Sequence, residues 1–343
     1  MTRRRVTSSD VGQRAGVSRT TVSFVLNNVS AANISEETRA RVLQAAQELG
    51  YVPDAAARML ASGQSRTIGL VISHAHHIRV DAFIPQVLYG MNEISRQHGF
   101  RLLLEAVEDV SRPDAYIDLV RSKQIDGLLI LNPRSDDPQL PQLLDRRYPL
   151  VLIGAYPHPA AHYVQIDQIK SCCVATAHLI GLGHQRVAFI NYAPPEYIGA
   201  VERLHGYQKA LADARIAYDE RLVRFGDYSA ESGYAAMRSL LDGAPRPSAV
   251  FAGNDTIAFG AMAAIHEAGL RIPEDIAIVG YDDIPKARYA IPPLTTLRSM
   301  PLEQAQRCMA MLIQLISGET PPTSQVTLDA ELIVRQSCGA TAA

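Results

Sequence analysis

The chain has 343 residues, more than one ordinary core organises, so two or three folding units are expected and a single small module is excluded. Hydrophobic residues make up 47% and charged residues 20%, with no low-complexity run, which excludes a disordered or fibrous polymer. The net charge of −2 hides an asymmetry: nine Arg and no Lys against five acidic residues put +4 on the first 66 positions and leave −6 on the rest, a basic head suited to a polyanion.

No apolar run approaches membrane-spanning length, and no apolar signal core follows Arg3, Arg4 and Arg5. A cytoplasmic protein without a membrane partner is expected. Cys172, Cys173, Cys308 and Cys338 fit neither a disulfide framework nor a zinc pattern and read as reduced thiols.

In the head, Thr7 followed by Asp10 is a capping pattern that starts a helix from Ser8 to about Arg14. Gly16 supplies a turn, and Ser18 caps a second helix from Arg19 to about Asn27 with Val22, Val25 and Leu26 as its apolar stripe. That spacing is a helix-turn-helix. On the opposite face lie Thr20 and Phe24, flanked by Arg19 and Ser23, which offers a cation, hydroxyls and one ring to an outside partner. Ser35 caps a third helix that buries Val42, Ala46 and Leu49 and ends at Gly50. The run from Asp54 to Ala61 favours helix but is too short to hold one alone, so it orders only when packed on something.

Four spaced motifs, Val17-Ser-Arg-Thr-Thr-Val-Ser-Phe-Val-Leu-Asn27, Ser35-Glu-Glu-Thr-Arg39, Glu48-Leu-Gly-Tyr-Val-Pro53 and Thr67-Ile-Gly-Leu70, together resemble the lactose/galactose repressor (LacI/GalR) family. The resemblance implies that the second helix enters the major groove with Arg19 and Thr20 at base-reading positions. It implies a hinge helix that carries Ala57 to DNA and wedges Leu60 into the minor groove. Thr7, Ser18, Ser23, Phe24 and Asn27 complete the expected DNA-binding set. Two residues depart from the family pattern: Phe24 stands where an Arg is usual, replacing a guanine or phosphate contact by an apolar one, and Asp54 replaces the usual Asn after Pro53.

Strand-like runs follow at 67–72, 100–105, 127–131 and 150–153, then at 187–191, 222–225, 249–252 and 277–280, with helices such as 255–267 between them. Such spacing calls for two parallel sheets covered on both faces, with a pocket where their C-terminal edges meet. The resemblance extends to the family's periplasmic-binding-protein-like core. The expected fold is therefore an N-terminal all-α helix-turn-helix head plus an α/β core of two doubly wound parallel-sheet lobes. Its divisions are a DNA-binding domain over 1–52, a hinge and linker over 53–64, a first lobe from 65–162 plus 293–324, and a second from 163–292 plus 325–338. Chain crossings are placed near His162, Pro292 and Ser324, with a closing strand near Val326 to Val334 in the second lobe.

Pocket candidates sit after strands. By resemblance, Arg203 presents a planar fork to ligand hydroxyls or carboxylates, with a helix-start salt bridge as the competing reading. Asp282 matches a family ligand position, as does Asp167, where helix capping competes. Tyr228 falls where sugar-sensing relatives carry an aromatic platform, against a core role. Asn254 follows a buried strand, so its amide can exchange hydrogen bonds with vicinal hydroxyls, while Asp255 is assigned to capping and Asp283 to structure. His74, Phe83 and Arg134 are first-lobe candidates; the His74-Ala-His-His77 run has too few partners for a zinc site, and no metal or cofactor is expected.

Gly181-Leu-Gly-His184 lies before a strand rather than after one, and no phosphate loop or nucleophile elbow occurs, so catalysis is not expected. His178 and His184 read as helix-end and loop residues. The resulting expectation is a ligand-responsive repressor of carbohydrate-utilisation genes that binds an approximately palindromic operator as a homodimer and senses a sugar or oligosaccharide. A nucleobase or another small metabolite as effector, and a solute sensor acting through a protein partner, stay open as alternatives.

Overall fold

The computed structural model describes residues 6–26, 34–52, 59, 62–107, 116–244 and 246–340. Asn27, Ala57 and Leu60, with all of the expected hinge helix except Met59, lie outside these described residues. The chain divides into two compact units, Met1–Arg66 and Thr67–Ala343, described here separately.

In the first unit, α1 (Ser8–Ala15), α2 (Arg19–Leu26) and α3 (Glu36–Glu48) pack around Val11, Ala15, Val22, Val25, Val42, Ala45 and Ala46. Each helix start is satisfied by the residue its sequence promised. The Thr7 hydroxyl accepts from Asp10 N while the Thr7 amide donates to Asp10 Oδ2 at 2.8 Å, a reciprocal capping box. Ser18 accepts from Thr21 N at 3.1 Å and Ser35 from Thr38 N at 3.3 Å. Gly16 closes α1 with φ +70°, a conformation that costs a residue with a Cβ. Arg14 ties α1 to α3 through Glu48 at 2.7 Å.

The second unit holds two six-stranded sheets. The first contains β1 (Thr67–Ile72), β2 (Arg101–Ala106), β3 (Gly127–Leu131), β4 (Leu150–Ile153), β5 (Tyr163–Ile166) and β11 (Gln325–Leu328), in the order β11-β5-β4-β3-β1-β2. The second contains β6 (Val187–Asn191), β7 (Val223–Phe225), β8 (Ala249–Ala252), β9 (Ala277–Asp282), β10 (Thr295–Arg298) and β12 (Glu331–Ile333), in the order β12-β10-β9-β8-β6-β7. Every named pairing is parallel except β10 with β12. The central strands β1, β3, β4, β6, β8 and β9 are buried almost throughout, as continuous apolar runs between two helical layers must be.

Each sheet accordingly has a core on both faces. The first packs Met91 of α5 (Ile84–Gln97) and Met309 of α12 (Pro301–Ile316) on one side, and Tyr116, Leu140 and Leu144 on the other. The second packs Met237 and Ile257, from α10 (Ala230–Asp242) and α11 (Asp255–Glu267), on one side. Cys172 and Tyr207, from α8 (Gln168–Gly181) and α9 (Ile198–Asp213), fill the other. Among the described residues no helix is long and apolar enough to cross a membrane.

The crossings between lobes fall one strand later than expected. Residues 163–166, assigned to the second lobe, belong to the first sheet, because Tyr163 and Val164 pair with Leu152 and Ile153. Residues 295–298, assigned to the first lobe, pair with β9 in the second sheet. The closing segment is two strands: 325–328 joins β5 in the first sheet, and 331–333 joins β10 in the second. Each crossing strand stays with its hydrogen-bonding neighbour, and the chain changes lobes only at that strand's C-terminal end. Strand apolarity carries no label saying which sheet it extends, so sequence pattern alone misplaced these boundaries.

Helices α10 and α11 pack with glycines at their contact: a Cβ at Gly260 would overlap the Ala230 carbonyl oxygen, and one at Gly233 the Ile257 carbonyl oxygen. Backbone cannot yield as a flexible side chain can. Gly260→Ala is expected to lower core stability by about 3 kcal/mol, read as a fall in the melting temperature of the purified protein.

Candidate functional site

The C-terminal ends of the strands from both sheets, and the crossings themselves, converge on one cavity. Asp81, Phe83, Asn132 and Gly154 line it from the first lobe, Tyr192, Arg203, Tyr228, Asn254, Tyr281 and Asp282 from the second, and Gln165, Gln168, Ser299 and Gln304 from the crossing strands and the helices they feed. Its volume is about 40 Å³. Asn132, Tyr228 and Asp282 hold positive φ values of 53°, 69° and 111°, so backbone strain is concentrated where the lobes meet.

Arg203, on α9, is the centre of the cavity wall. Its guanidinium carbon lies 3.7 Å from the ring centre of Tyr281 and 4.1 Å from that of Tyr192, so the cation is held between two aromatic rings. Its Nε donates to Gln168 Oε1 at 2.8 Å, and its Nη1 donates to the Gly253 carbonyl. Gln168 Oε1 also accepts from the Tyr281 hydroxyl at 3.0 Å, which fixes both partners of the guanidinium. Two buried carboxylates share this cavity. Burial pushes Asp81 up to about 6, with the Arg203 charge opposing it, and raises Asp282 above the usual carboxylate range. Asp81 accepts from Phe83 N at 3.0 Å, and Asp282 accepts from Ser299 Oγ at 2.9 Å.

Beside the cavity the lobes are stitched together. Ser135 N donates to Glu196 O at 2.8 Å, Ile198 N to Pro133 O at 3.4 Å, and Asn132 Nδ2 to the Tyr228 hydroxyl at 3.3 Å. The ring of His77 packs on Tyr228 with centroids 4.0 Å apart, and burial together with His74 and His76 lowers its pKa to about 3, so it is neutral. Tyr228 also meets the rings of Tyr192 and Tyr197 edge-on.

Of the expected effector residues, Phe83, Arg203, Tyr228, Asn254 and Asp282 line the cavity, whereas His74, Arg134 and Asp167 do not. His74 is exposed and reaches Tyr228 only through the ring of His77. Arg134 forks onto Asp136 at 2.6 and 2.8 Å and lies over Tyr197, serving the contact between lobes. Asp167 caps α8 by accepting from Lys170 N at 2.9 Å. Asn254 lines the cavity as expected and also takes the capping role expected of Asp255. Asn254 is the cap of α11, accepting from Ile257 N at 2.7 Å, and its Nδ2 donates to Tyr228 O. Asp255 is fully buried and accepts from Thr296 Oγ1 at 2.6 Å and Ile284 N at 2.9 Å, fastening β10 and the loop that follows β9. Asp283 pairs with Arg298 and Arg335, as a structural residue.

Sequence reasoning missed Asp81, Asn132, Gln168, Tyr192, Tyr281 and Ser299. Asn132 and Tyr192 directly follow buried strands, so the rule that found Asn254 reaches them as well; Asp81 lies beyond a short helix and carries no such signal. Among the described residues no three His, Cys, Asp or Glu side chains are grouped to hold a metal ion. In the head, Arg19, Thr20 and Phe24 are exposed on α2 opposite buried Val22 and Val25, while the Thr7 and Ser18 hydroxyls are engaged in caps.

A helix-turn-helix head joined to a two-lobed α/β core with a cleft at its strand ends defines the ligand-responsive DNA-binding regulators of transcription. Residues 7–54 match the bacterial regulatory proteins of the lacI family, and residues 176–338 match a periplasmic binding protein-like domain. The chain is 39% identical to the HTH-type transcriptional regulator CelR of Thermobifida fusca over 341 residues, 98% of this chain and 99% of that one. Among solved structures it resembles a CelR–cellobiose complex, with 36% identity, 97% of this chain and 100% of that one covered, and a TM-score of 0.73. It also resembles a lac repressor dimer bound to operator and the anti-inducer ONPF, with 30% identity, 98% and 100% covered, and a TM-score of 0.86. The chain belongs to the lacI family of bacterial regulatory proteins, as its four spaced motifs implied, and is a DNA-binding transcriptional regulator.

Asp255 makes a measurable difference to the core. Burial raises its pKa from the ordinary 3.8 to about 7, against the hydrogen bonds from Thr296 and Ile284. Between those values the folded state holds a proton the unfolded chain has released, so this group's contribution falls as pH rises from about 4 to 7. Asp255→Asn is expected to flatten that part of the melting-temperature profile; an unchanged slope would show that Asp255 is ionised throughout.

Proposed function

We propose that the chain is a cytoplasmic, non-catalytic repressor of carbohydrate-utilisation genes, a homodimer on an approximately palindromic operator, whose cleft takes a neutral saccharide. The observation that carries the ligand class is the clamped Arg203 facing two buried carboxylates, Asp81 and Asp282, with the amides of Asn132 and Gln168 alongside. Carboxylates accept from hydroxyls, amides both donate and accept, and a guanidinium donates, which together suit vicinal hydroxyls. The one guanidinium is already engaged by Gln168 and the Gly253 carbonyl, which leaves little to neutralise a phosphorylated sugar or sugar acid. Of the rings that line the cavity, Tyr192 and Tyr281 hold Arg203 and Tyr228 packs against His77, Tyr192 and Tyr197, which leaves a nucleobase only Phe83 to stack on. The cellobiose in the CelR complex supports the same class.

A disaccharide exceeds the present cavity, so binding selects an arrangement in which the lobes part or rotate. Ligand can change DNA affinity only through unequal affinity for the two arrangements, and a shift from 1:99 to 99:1 takes about 5.5 kcal/mol.

The test is thermal melting against cellobiose, other neutral saccharides, sugar phosphates, sugar acids and purines. Neutral saccharides are expected to raise the melting temperature; a response confined to anionic sugars or purines would refute the ligand class. Arg203→Lys keeps the charge but loses the planar fork. It is expected to weaken the saccharide at least about tenfold while operator binding persists, and equal loss of both would make Arg203 a purely structural residue.

A further inference from the structure

We infer that Phe24 is a specificity-determining residue that reads the C5-methyl group of a thymine in each operator half-site. The inference rests on the DNA-binding role of the head. On α2, Val22 and Val25 are buried in the three-helix core, which fixes the rotation of the helix and sends Arg19, Thr20 and Phe24 outward together. Thr20 and Phe24 are one turn apart, so their side chains stand one above the other, and the ring leans toward Thr20 and the helix start. That first turn carries Arg19 and is the part of a second helix-turn-helix helix that meets base edges.

Phe24 is 38% exposed in the head as described, and Ser18 and Thr21 on the neighbouring turn are joined to each other by their hydroxyls at 2.9 Å. A phenyl ring cannot bond to a phosphate oxygen or to the donor and acceptor pattern of a base edge. The major groove offers it one apolar feature, the methyl group by which thymine differs from every other base. Binding would cover the exposed ring and the methyl together, removing both from water, whereas a guanine or cytosine at that step would leave a polar edge facing hydrocarbon. The preference at that step therefore comes from a methyl group and not from a hydrogen bond.

Replacing thymine by deoxyuridine removes that methyl and leaves all base-pair hydrogen bonds in place. Sequences bound by the full-length protein are selected from a randomised duplex library, and each shared thymine is then exchanged for deoxyuridine in both half-sites. At one symmetric position the native protein is expected to lose about fourfold per half-site, about fifteenfold for the pair, and Phe24→Ala to lose less than about twofold. Phe24→Gln serves the same comparison should Phe24→Ala unfold the head. Indifference of the native protein to deoxyuridine at every position overturns the inference, as does equal sensitivity in the variants. Enrichment of no sequence at all would instead overturn operator recognition itself, and this inference with it.

Discussion

A parallel strand delivers its following loop at one edge of the sheet and at no other. Eleven of the twelve core strands run in parallel pairs that open toward the same gap, and all three crossings leave their strands at that edge, after Ile166, Arg298 and Leu328. The cleft is therefore a product of topology before any side chain is chosen. Its floor is made of the crossings, which supply Gln168, Ser299 and Gln304, and its walls are made of strand ends.

Within that frame a buried cation sets the chemistry. A guanidinium removed from water must be compensated on every side, and Arg203 is compensated by two rings, a side-chain amide, a backbone carbonyl and nearby carboxylates. The same arrangement keeps Asp81 and Asp282 buried without a dedicated ion pair for each. The acids are accordingly raised in pKa by their burial, which favours their protonated form.

The head was legible because its signals are local: capping residues, a turn glycine and a 3.6-residue apolar stripe all act within a few positions. Arg203 and Asp282 were legible through resemblance, and helix 255–267 through its place between strand-like runs. Sheet membership of 163–166, 295–298 and 325–328 was not, since it depends on which distant backbone supplies the hydrogen bonds. That Asn254 rather than Asp255 caps its helix has a similar cause. Either residue can cap a helix, and only the tertiary approach of Thr296 and the Ile284 amide decides which side chain turns inward. Tyr192 was within reach of the strand-end rule, whereas nothing local announces that its ring and that of Tyr281 close on one arginine.

The stitching between 133–135 and 196–198 has an energetic consequence. These backbone hydrogen bonds belong to the present arrangement of the lobes, so a rotation that separates the two segments gives them up. The bridge thus weights the balance between lobe arrangements, which a ligand shifts only by its unequal affinity for them.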